Sequence, residues 1–452
     1  MDGYRNQQIV VVGAGRTGRA LAEHFLRLGA RVVLSDSRSA DQIGDTSGLA
    51  AKGVRFDFDG HGMDLFAAAD LIAISPGVSL SLPAVAEAQR RGVPVLGEIE
   101  IAFRQLSAPM VAITGTNGKS TTTTLLGEIF RAWGRRVFVG GNLGTPLIEA
   151  LDESDWDWLV AEISSFQLEA IETFRPRYGL LLNLSEDHLD RYPDMSAYLA
   201  AKKQLFVNMT AADVAVLNGD DPLVGQLTSD VDSRKVYFSS RHVPAEGMGL
   251  AGDEIIWRMD GAERRFPIAE LRLKGLHNLE NVMAALIPPL MEGCPPEVAW
   301  SAVCAFGGLD HRMVLVRELD GVAWYNDSKG TNVGSVVKSL AGLRAPVTLI
   351  AGGRDKGGDY APLADEVRDK VAHLILIGEA GDRIEEVLGM LTDTIRAVSL
   401  EEAVKLAHRL TPCGGSVLLS PGCSSFDMFR SYAERGEVFV RAVQALPEKE
   451  KV

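Results

Sequence analysis

The 452-residue chain carries 60 acidic against 46 basic residues, a formal net charge of −14, with 46% hydrophobic and 23% charged residues. That balance excludes disorder, and without a basic face it excludes a nucleic-acid partner, because sequence-independent binding to a phosphate backbone needs cationic neutralisation. At about 150 residues per domain the length points to three domains, so clefts between domains are available for ligands.

Residues 1–8 run into the first apolar stretch without a basic-then-apolar leader, and no apolar run reaches membrane-spanning length, so a cytoplasmic location without membrane insertion is expected. Ile9 to Val12 reads as a buried strand, followed by Gly13-Ala14-Gly15-Arg16-Thr17-Gly18, a helix from about Arg19 to Leu28, and a strand at Val32 to Leu34. This is a βαβ unit with a dinucleotide fingerprint, and Asp36, 18 residues beyond Gly18, stands where a ribose-binding acid belongs. Taken alone it says NAD, but the same turn cradles any diphosphate. Strands at Leu71 to Ser75 and around Val93 to Leu96 complete a domain of roughly 100 residues.

Val111 to Thr114 is a second strand–turn–helix opening: Gly115-Thr116-Asn117-Gly118-Lys119-Ser120-Thr121 is followed by a helix from Thr122 to Trp133. Backbone N–H groups and a helix N-terminus converge there on anionic phosphate, Lys119 adds charge and Ser120 a hydroxyl for Mg²⁺. The full Walker pattern would have Gly at Ile113, so this is a shortened loop. Trp158 to Glu162 is a strand ending in a carboxylate, well placed for Mg²⁺ beside the phosphate loop.

Tyr178 to Leu184 ends in Ser185-Glu186-Asp187-His188-Leu189-Asp190, and Ser196 to Phe206 reads as a helix whose Lys202-Lys203 pair looks like a solvated face. After a strand at Val214 to Asn218, Val236 to Arg272 alternates in short runs, like a small antiparallel annex. Asn278 and Asn281 share one helical face, fit either to read a base edge or to cap the helix. Beyond Leu309-Asp310-His311-Arg312 a third α/β region has strands at Val322 to Asp327, Val347 to Ala351, Leu374 to Ile377 and Val417 to Leu419, with polar residues at their ends. Cys294, Cys304, Cys413 and Cys423 lack metal or disulfide spacing and read as buried free thiols.

The shortened loop, Glu162-Ile163-Ser164-Ser165-Phe166-Gln167-Leu168-Glu169, Glu186 to Asp190, His277-Asn278, His311-Arg312 and Asn326-Asp327-Ser328-Lys329-Gly330-Thr331-Asn332 occur in that order. Together they resemble the Mur ligases of peptidoglycan synthesis, within them the D-glutamate-adding members, over nearly the whole chain. The resemblance implies an α/β chain of three domains. These are a Rossmann-like domain for a UDP substrate (1–98), a P-loop ATPase-like domain with a mainly parallel sheet (99–309) and a Rossmann-like amino-acid domain (310–452). It implies ATP-dependent addition of D-glutamate to UDP-N-acetylmuramoyl-L-alanine through an acyl phosphate, by a monomer.

By the same resemblance, Gly115 to Thr121, Asn278, Asn281, Arg312 and Asp327 bind ATP, with Lys119 and Lys329 on its phosphates. Ser120 and Glu162 hold one Mg²⁺; His188 and a carbamylated Lys202 hold a second. Thr17, Asp36, Ser37, Arg38, Gly77 and Asn142 take the UDP substrate. Thr331, Lys356, Ser425, Phe426 and Tyr432 take D-glutamate, Tyr432 standing where the familiar form has Phe. A nicotinamide-dependent dehydrogenase would leave the P-loop unexplained. The residues also admit a sibling ligase for another amino acid and a non-catalytic nucleotide switch.

Overall fold

A computed structural model describes residues 3–448 apart from 190 and 274, so Asp190 lies outside the described residues. The chain packs as two compact units, Met1–Leu184 with Leu199–Phe306, and Ser185–Tyr198 with Gly307–Val452. Ser185–Tyr198, central by sequence, thus packs with the C-terminal region.

The first unit contains two sheets. Strands β1 (Gln8–Val12), β2 (Arg31–Ser35), β3 (Arg55–Asp57), β4 (Leu71–Ile74) and β5 (Val95–Gly97) form an all-parallel sheet in the order β3-β2-β1-β4-β5. The second sheet has nine strands: β6 (Met110–Thr114), β7 (Val137–Gly141), β8 (Trp158–Glu162), β9 (Tyr178–Leu181), β10 (Val214–Asn218), β11 (Arg234–Ser239), β12 (Gly247–Ala251), β13 (Glu254–Met259) and β14 (Ala262–Pro267). Their order is β14-β13-β12-β11-β10-β9-β6-β8-β7. The annex expected over Val236 to Arg272 is therefore not separate. β11 and β12 continue the parallel sheet, β13 runs back antiparallel to β12, and β14 pairs antiparallel with β13 at the edge. Central strands are apolar over residues 9–12 of β1 and 110–113 of β6 because both faces are covered.

In the second unit β15 (Val314–Leu319), β16 (Val322–Asn326), β17 (Val347–Gly352), β18 (Val371–Ile377), β19 (Asp393–Arg396) and β20 (Ser416–Leu419) are ordered β15-β16-β20-β17-β18-β19. Only β15 runs antiparallel, joined to β16 by Asp320-Gly321 with both φ positive (53° and 72°), the geometry of a tight hairpin. Here Arg435, fully buried, donates to Ser328 Oγ and to the carbonyls of Ser328, Cys423 and Ser424, tying together the loops after β16 and β20. Burial pulls its pKa down to about 10. The cysteine expectation needs correction. All four thiols are free, but only Cys294 and Cys423 are buried, while Cys413 is exposed and Cys304 is intermediate.

Both glycine-rich turns start their helices earlier than periodicity suggests, at Arg16 rather than Arg19 and at Lys119 rather than Thr122. The polar residues of the turns are already helical, which is what directs their N–H groups at one point. The two sheets of the first unit are joined where β5 gives way to the helix Glu98–Phe103. Gly97 N–H donates to Ala170 O at 2.8 Å, and the fully buried Glu100 carboxylate accepts the N–H groups of Glu172, Thr173 and Phe174, the Thr173 hydroxyl and Arg104 Nε. Burial alone would raise the Glu100 pKa, but the Thr173 hydroxyl, these N–H groups and Arg104 outweigh it and hold the carboxyl below its ordinary range.

A carboxyl depressed in the folded state stabilises above its unfolded pKa and loses that contribution as pH falls through the folded value. Glu100→Gln is expected to cost about 3 kcal/mol at pH 7 in urea unfolding, with the gap to wild type closing below about pH 4. A gap unchanged at pH 3 would rule out the ionised carboxylate as the joint.

Candidate active site

Glycine-rich turns at the carboxyl ends of β1 and β4, where the strand order reverses, open a cleft of about 1090 Å³. Gly18 closes its turn because a Cβ there would lie 1.7 Å from Gly13 O. Thr17, Asp36, Ser37, Arg38, Gly77 and Asn142 all line the cleft. Asp36, 6% exposed, accepts the Ala14 N–H at 2.7 Å and both Arg38 Nε (2.9 Å) and the Arg38 terminal nitrogen (2.8 Å). Its bonds to Arg38, assisted by the Ala14 and Arg38 N–H groups, keep it ionised far below the usual carboxylate range despite burial. Asp36 thereby fixes the turn after β1 and the cation facing the cleft.

The phosphate loop follows β6 in the second sheet. Gly118 caps the helix Lys119–Ala132 in the left-handed region (φ 88°), and a Cβ there would lie 2.2 Å from Asn281 Oδ1. That approach seats Asn281 against the loop; Thr122 Oγ1 also donates to its Oδ1 at 3.4 Å. Asn278 lies one turn away, and Gly275 holds the cap position of the helix Leu276–Met291, so neither amide occupies that position. Lys119 Nζ donates to the carbonyls of Gly115 and Thr116, both at 2.8 Å. Asn183, for which the sequence carries no motif, brackets the loop: its side chain accepts the Asn117 N–H at 2.8 Å and donates to Asn117 O at 3.0 Å.

Glu162 ends β8 beside β6, is 3% exposed, and accepts from Asn142 Nδ2 at 2.7 Å through Oε1. Its Oε2 is buried with no hydrogen-bond partner, as is Thr121 Oγ1. An orphaned buried carboxylate oxygen beside a phosphate loop fits a divalent cation shared with phosphates. Among the described residues no three His, Cys, Asp or Glu side chains converge on a metal-sized space. Ser120 is buried at the loop's helical end. The solvated-face reading of the lysine pair fails for Lys202, which is 2% exposed with Nζ 2.9 Å from Gly115 O and 3.5 Å from Thr114 Oγ1. It holds for Lys203, which pairs with Asp230 at the surface.

In the second unit, His188, Thr331 and Lys356 line one cavity of about 680 Å³ with Glu186, Asp187 and Asn332. Asp187 is its hub. It pairs with Lys356 Nζ at 3.3 Å, accepts from Asn332 Nδ2 at 3.3 Å, and accepts the N–H of His188, whose φ is 58°. Asp355, absent from the expected site, braces the Lys356 loop by accepting from Gly357 N–H, Tyr360 hydroxyl and Arg383. Ser425, Phe426 and Tyr432 do not line this cavity. Ser425 is buried, Phe426 is 66% exposed, and the Tyr432 ring lies 5.1 Å from Lys329 Nζ. Asp327, 2% exposed, accepts the Ser339 and Ser420 hydroxyls at 2.7 Å; burial raises its pKa against the pull of Arg312.

Three family models match consecutive stretches: Mur ligase MurD-like, N-terminal domain over residues 7–97, Mur ligase middle domain over 113–288, and Mur ligase, glutamate ligase domain over 311–423. The protein named UDP-N-acetylmuramoylalanine--D-glutamate ligase in Syntrophotalea carbinolica is 68% identical over 446 residues, 99% of each chain. The protein of the same name in Geotalea uraniireducens is 52% identical over 98% of each. In fold alone the chain resembles a pseudomurein peptide ligase type C from Methanothermus fervidus (TM-score 0.61, 20% identity, 92% of this chain and 97% of that). It also resembles a UDP-N-acetylmuramate-alanine ligase from Thermotoga maritima (TM-score 0.60, 19% identity, 97% and 100%). The three family models and the full-length identity agree, and the chain belongs to the Mur ligase family.

Proposed function

We propose that this enzyme uses ATP to join D-glutamate to UDP-N-acetylmuramoyl-L-alanine, with 1–98 holding the UDP portion, 99–309 the ATP and 310–452 the amino acid. The observation that supports this reading is the pair of glycine-rich strand-to-helix turns in the first unit, both at strand carboxyl ends, one opening onto a cleft and joined to the strand beside the other through Asn142 and Glu162. Lys119 and the loop N–H groups would hold the phosphates. The γ-phosphoryl group passes to the alanyl carboxylate, and the D-glutamate amine then displaces phosphate from the acyl phosphate to form the amide. Lys356, Thr331 and Asn332 offer donors to the carboxylates of D-glutamate, the Asp187 carboxylate giving up Lys356 to the incoming anion.

Two Mg²⁺ ions would neutralise the transferring phosphoryl group and polarise the acyl acceptor. Glu162 and Ser120 suit one of them; for the other we assign Lys202 as a carbamate. Carbamate formation starts from a neutral amine, a form that burial favours, and it converts a repelled cation into an oxygen ligand. Among the described residues no helix is long and apolar enough to cross a membrane.

The deciding experiment supplies UDP-N-acetylmuramoyl-L-alanine and ATP with a panel of amino acids. ADP should appear with D-glutamate and not with L-alanine, diaminopimelate or the dipeptide D-alanyl-D-alanine; another preference overturns the assignment.

Asp36→Ala is expected to raise KM for the UDP substrate about tenfold or more while the KM for ATP stays within about twofold, since only the first cleft loses its brace. Equal rises would contradict separate clefts. Lys202→Ala is expected to lose at least about a hundredfold in kcat and to recover partly with added formate or acetate, whereas Lys203→Ala keeps its rate. No recovery in any carboxylate would remove the carbamate.

A further inference from the structure

One buried acid has no part in the chemistry above. Glu98 opens the helix after β5 and is 2% exposed; its Oε1 accepts the Ile148 N–H at 2.6 Å, and its Oε2 has no hydrogen-bond partner. Burial pushes its pKa up to about 7, Glu149 adds to that, and the Ile148 and Leu147 N–H groups with the Gln167 side chain pull the other way. Keeping an acid here costs stability that an apolar residue would not, which directs attention to what it holds.

Ile148 lies in the short helix Leu147–Asp152, immediately beyond the turn Asn142 to Pro146. Asn142, Gly144 and Pro146 of that turn line the substrate cleft. Gly141 and Gly144 take positive φ (86° and 76°), and the near end of the turn is fixed by Asn142 on Glu162. Glu98 fixes the far end. From the opposite side Gln167 also lines the cleft. Its Oε1 accepts the Ser164 N–H at 2.9 Å and the Ser164 hydroxyl at 3.1 Å.

We propose that Glu98 is a positioning residue for the nucleotide substrate: by accepting the Ile148 N–H it holds the far end of the Asn142 to Pro146 turn, one wall of the diphosphate cleft. The proposal rests on reading that cleft as the UDP site. The residue that Glu98 bonds adjoins the turn lining this cleft and not the phosphate loop, so loss of the carboxylate is expected to fall on one substrate.

Glu98→Met keeps the volume and removes the acceptor; Glu98→Gln keeps an oxygen for the Ile148 N–H. Calorimetry with UDP, and steady-state kinetics with all three substrates, separate the cases. Glu98→Met is expected to weaken UDP at least about tenfold and to raise the KM for the UDP substrate comparably, with kcat and the ATP KM within about twofold. Glu98→Gln is expected to stay within about threefold of wild type throughout.

Wild-type UDP affinity in Glu98→Met overturns the proposal, as do equal losses in both variants or parallel rises in the UDP-substrate and ATP KM. Wild-type enzyme that does not bind UDP overturns the cleft reading itself, a distinguishable failure that takes the proposal with it. Should Glu98→Met not fold, hydrogen exchange on the wild-type enzyme decides. The Ile148 amide is expected to exchange more slowly with UDP present, and unchanged exchange overturns the proposal.

Discussion

The first unit depends on carboxylates accepting backbone N–H groups where its two sheets meet. Glu98 and Glu100 project from one helical turn, one onto Ile148 and the other onto the Glu172 to Phe174 turn. An apolar contact would hold the sheets together but tolerate sliding; charge-assisted bonds to fixed N–H groups specify angle and register as well as proximity. The cleft between the sheets depends on that specificity, because Thr17, Asp36 and Gly77 follow strands of the first sheet while Asn142 and Gln167 follow strands of the second.

Around that joint both sites use one device, a glycine that admits a neighbour where a side chain would collide. At Gly18 the neighbour is the Gly13 carbonyl; at Gly118 it is the Asn281 amide. The second unit uses another device. Its strand-end loops are held by a buried guanidinium whose bonds all go to neutral oxygens, with no carboxylate in direct contact. A planar five-donor group can satisfy several carbonyls at once, which a lysine in that place could not.

Much of this is legible in the residues. Apolar runs ending in glycine-rich turns mark both strand-to-helix openings of the first unit, and all six residues expected at the UDP substrate line one cavity. The misses have physical causes. Asp320-Gly321 and Asp260-Gly261 are strong hairpin signals that periodicity alone does not use, and with them go β15 and the continuity of β13 and β14 with the main sheet. Lys202 shows no periodicity that separates it from Lys203, since burial of one neighbour and exposure of the next depends on what the helix packs against. Arg435, Asp355 and Asn183 act through partners far away in sequence, and no local pattern announces a partner that the fold supplies. Ser425, Phe426 and Tyr432 rest on resemblance alone and lie outside the cavity that gathers His188, Thr331 and Lys356.

Asn142 belongs to two sites at once: it lines the diphosphate cleft, and its amide nitrogen bonds the carboxylate that stands beside the phosphate loop. A ligand that engages this amide from the cleft changes how firmly Glu162 is held, and a cation or nucleotide that draws on Glu162 changes how the amide faces the cleft. Such a shared group makes the affinities of the two ligands interdependent, and thermodynamic linkage requires the factor to be the same in both directions. Whichever ligand binds first, the second meets a site whose affinity has changed by that one factor, and the energy of the doubly loaded state is the same by either route.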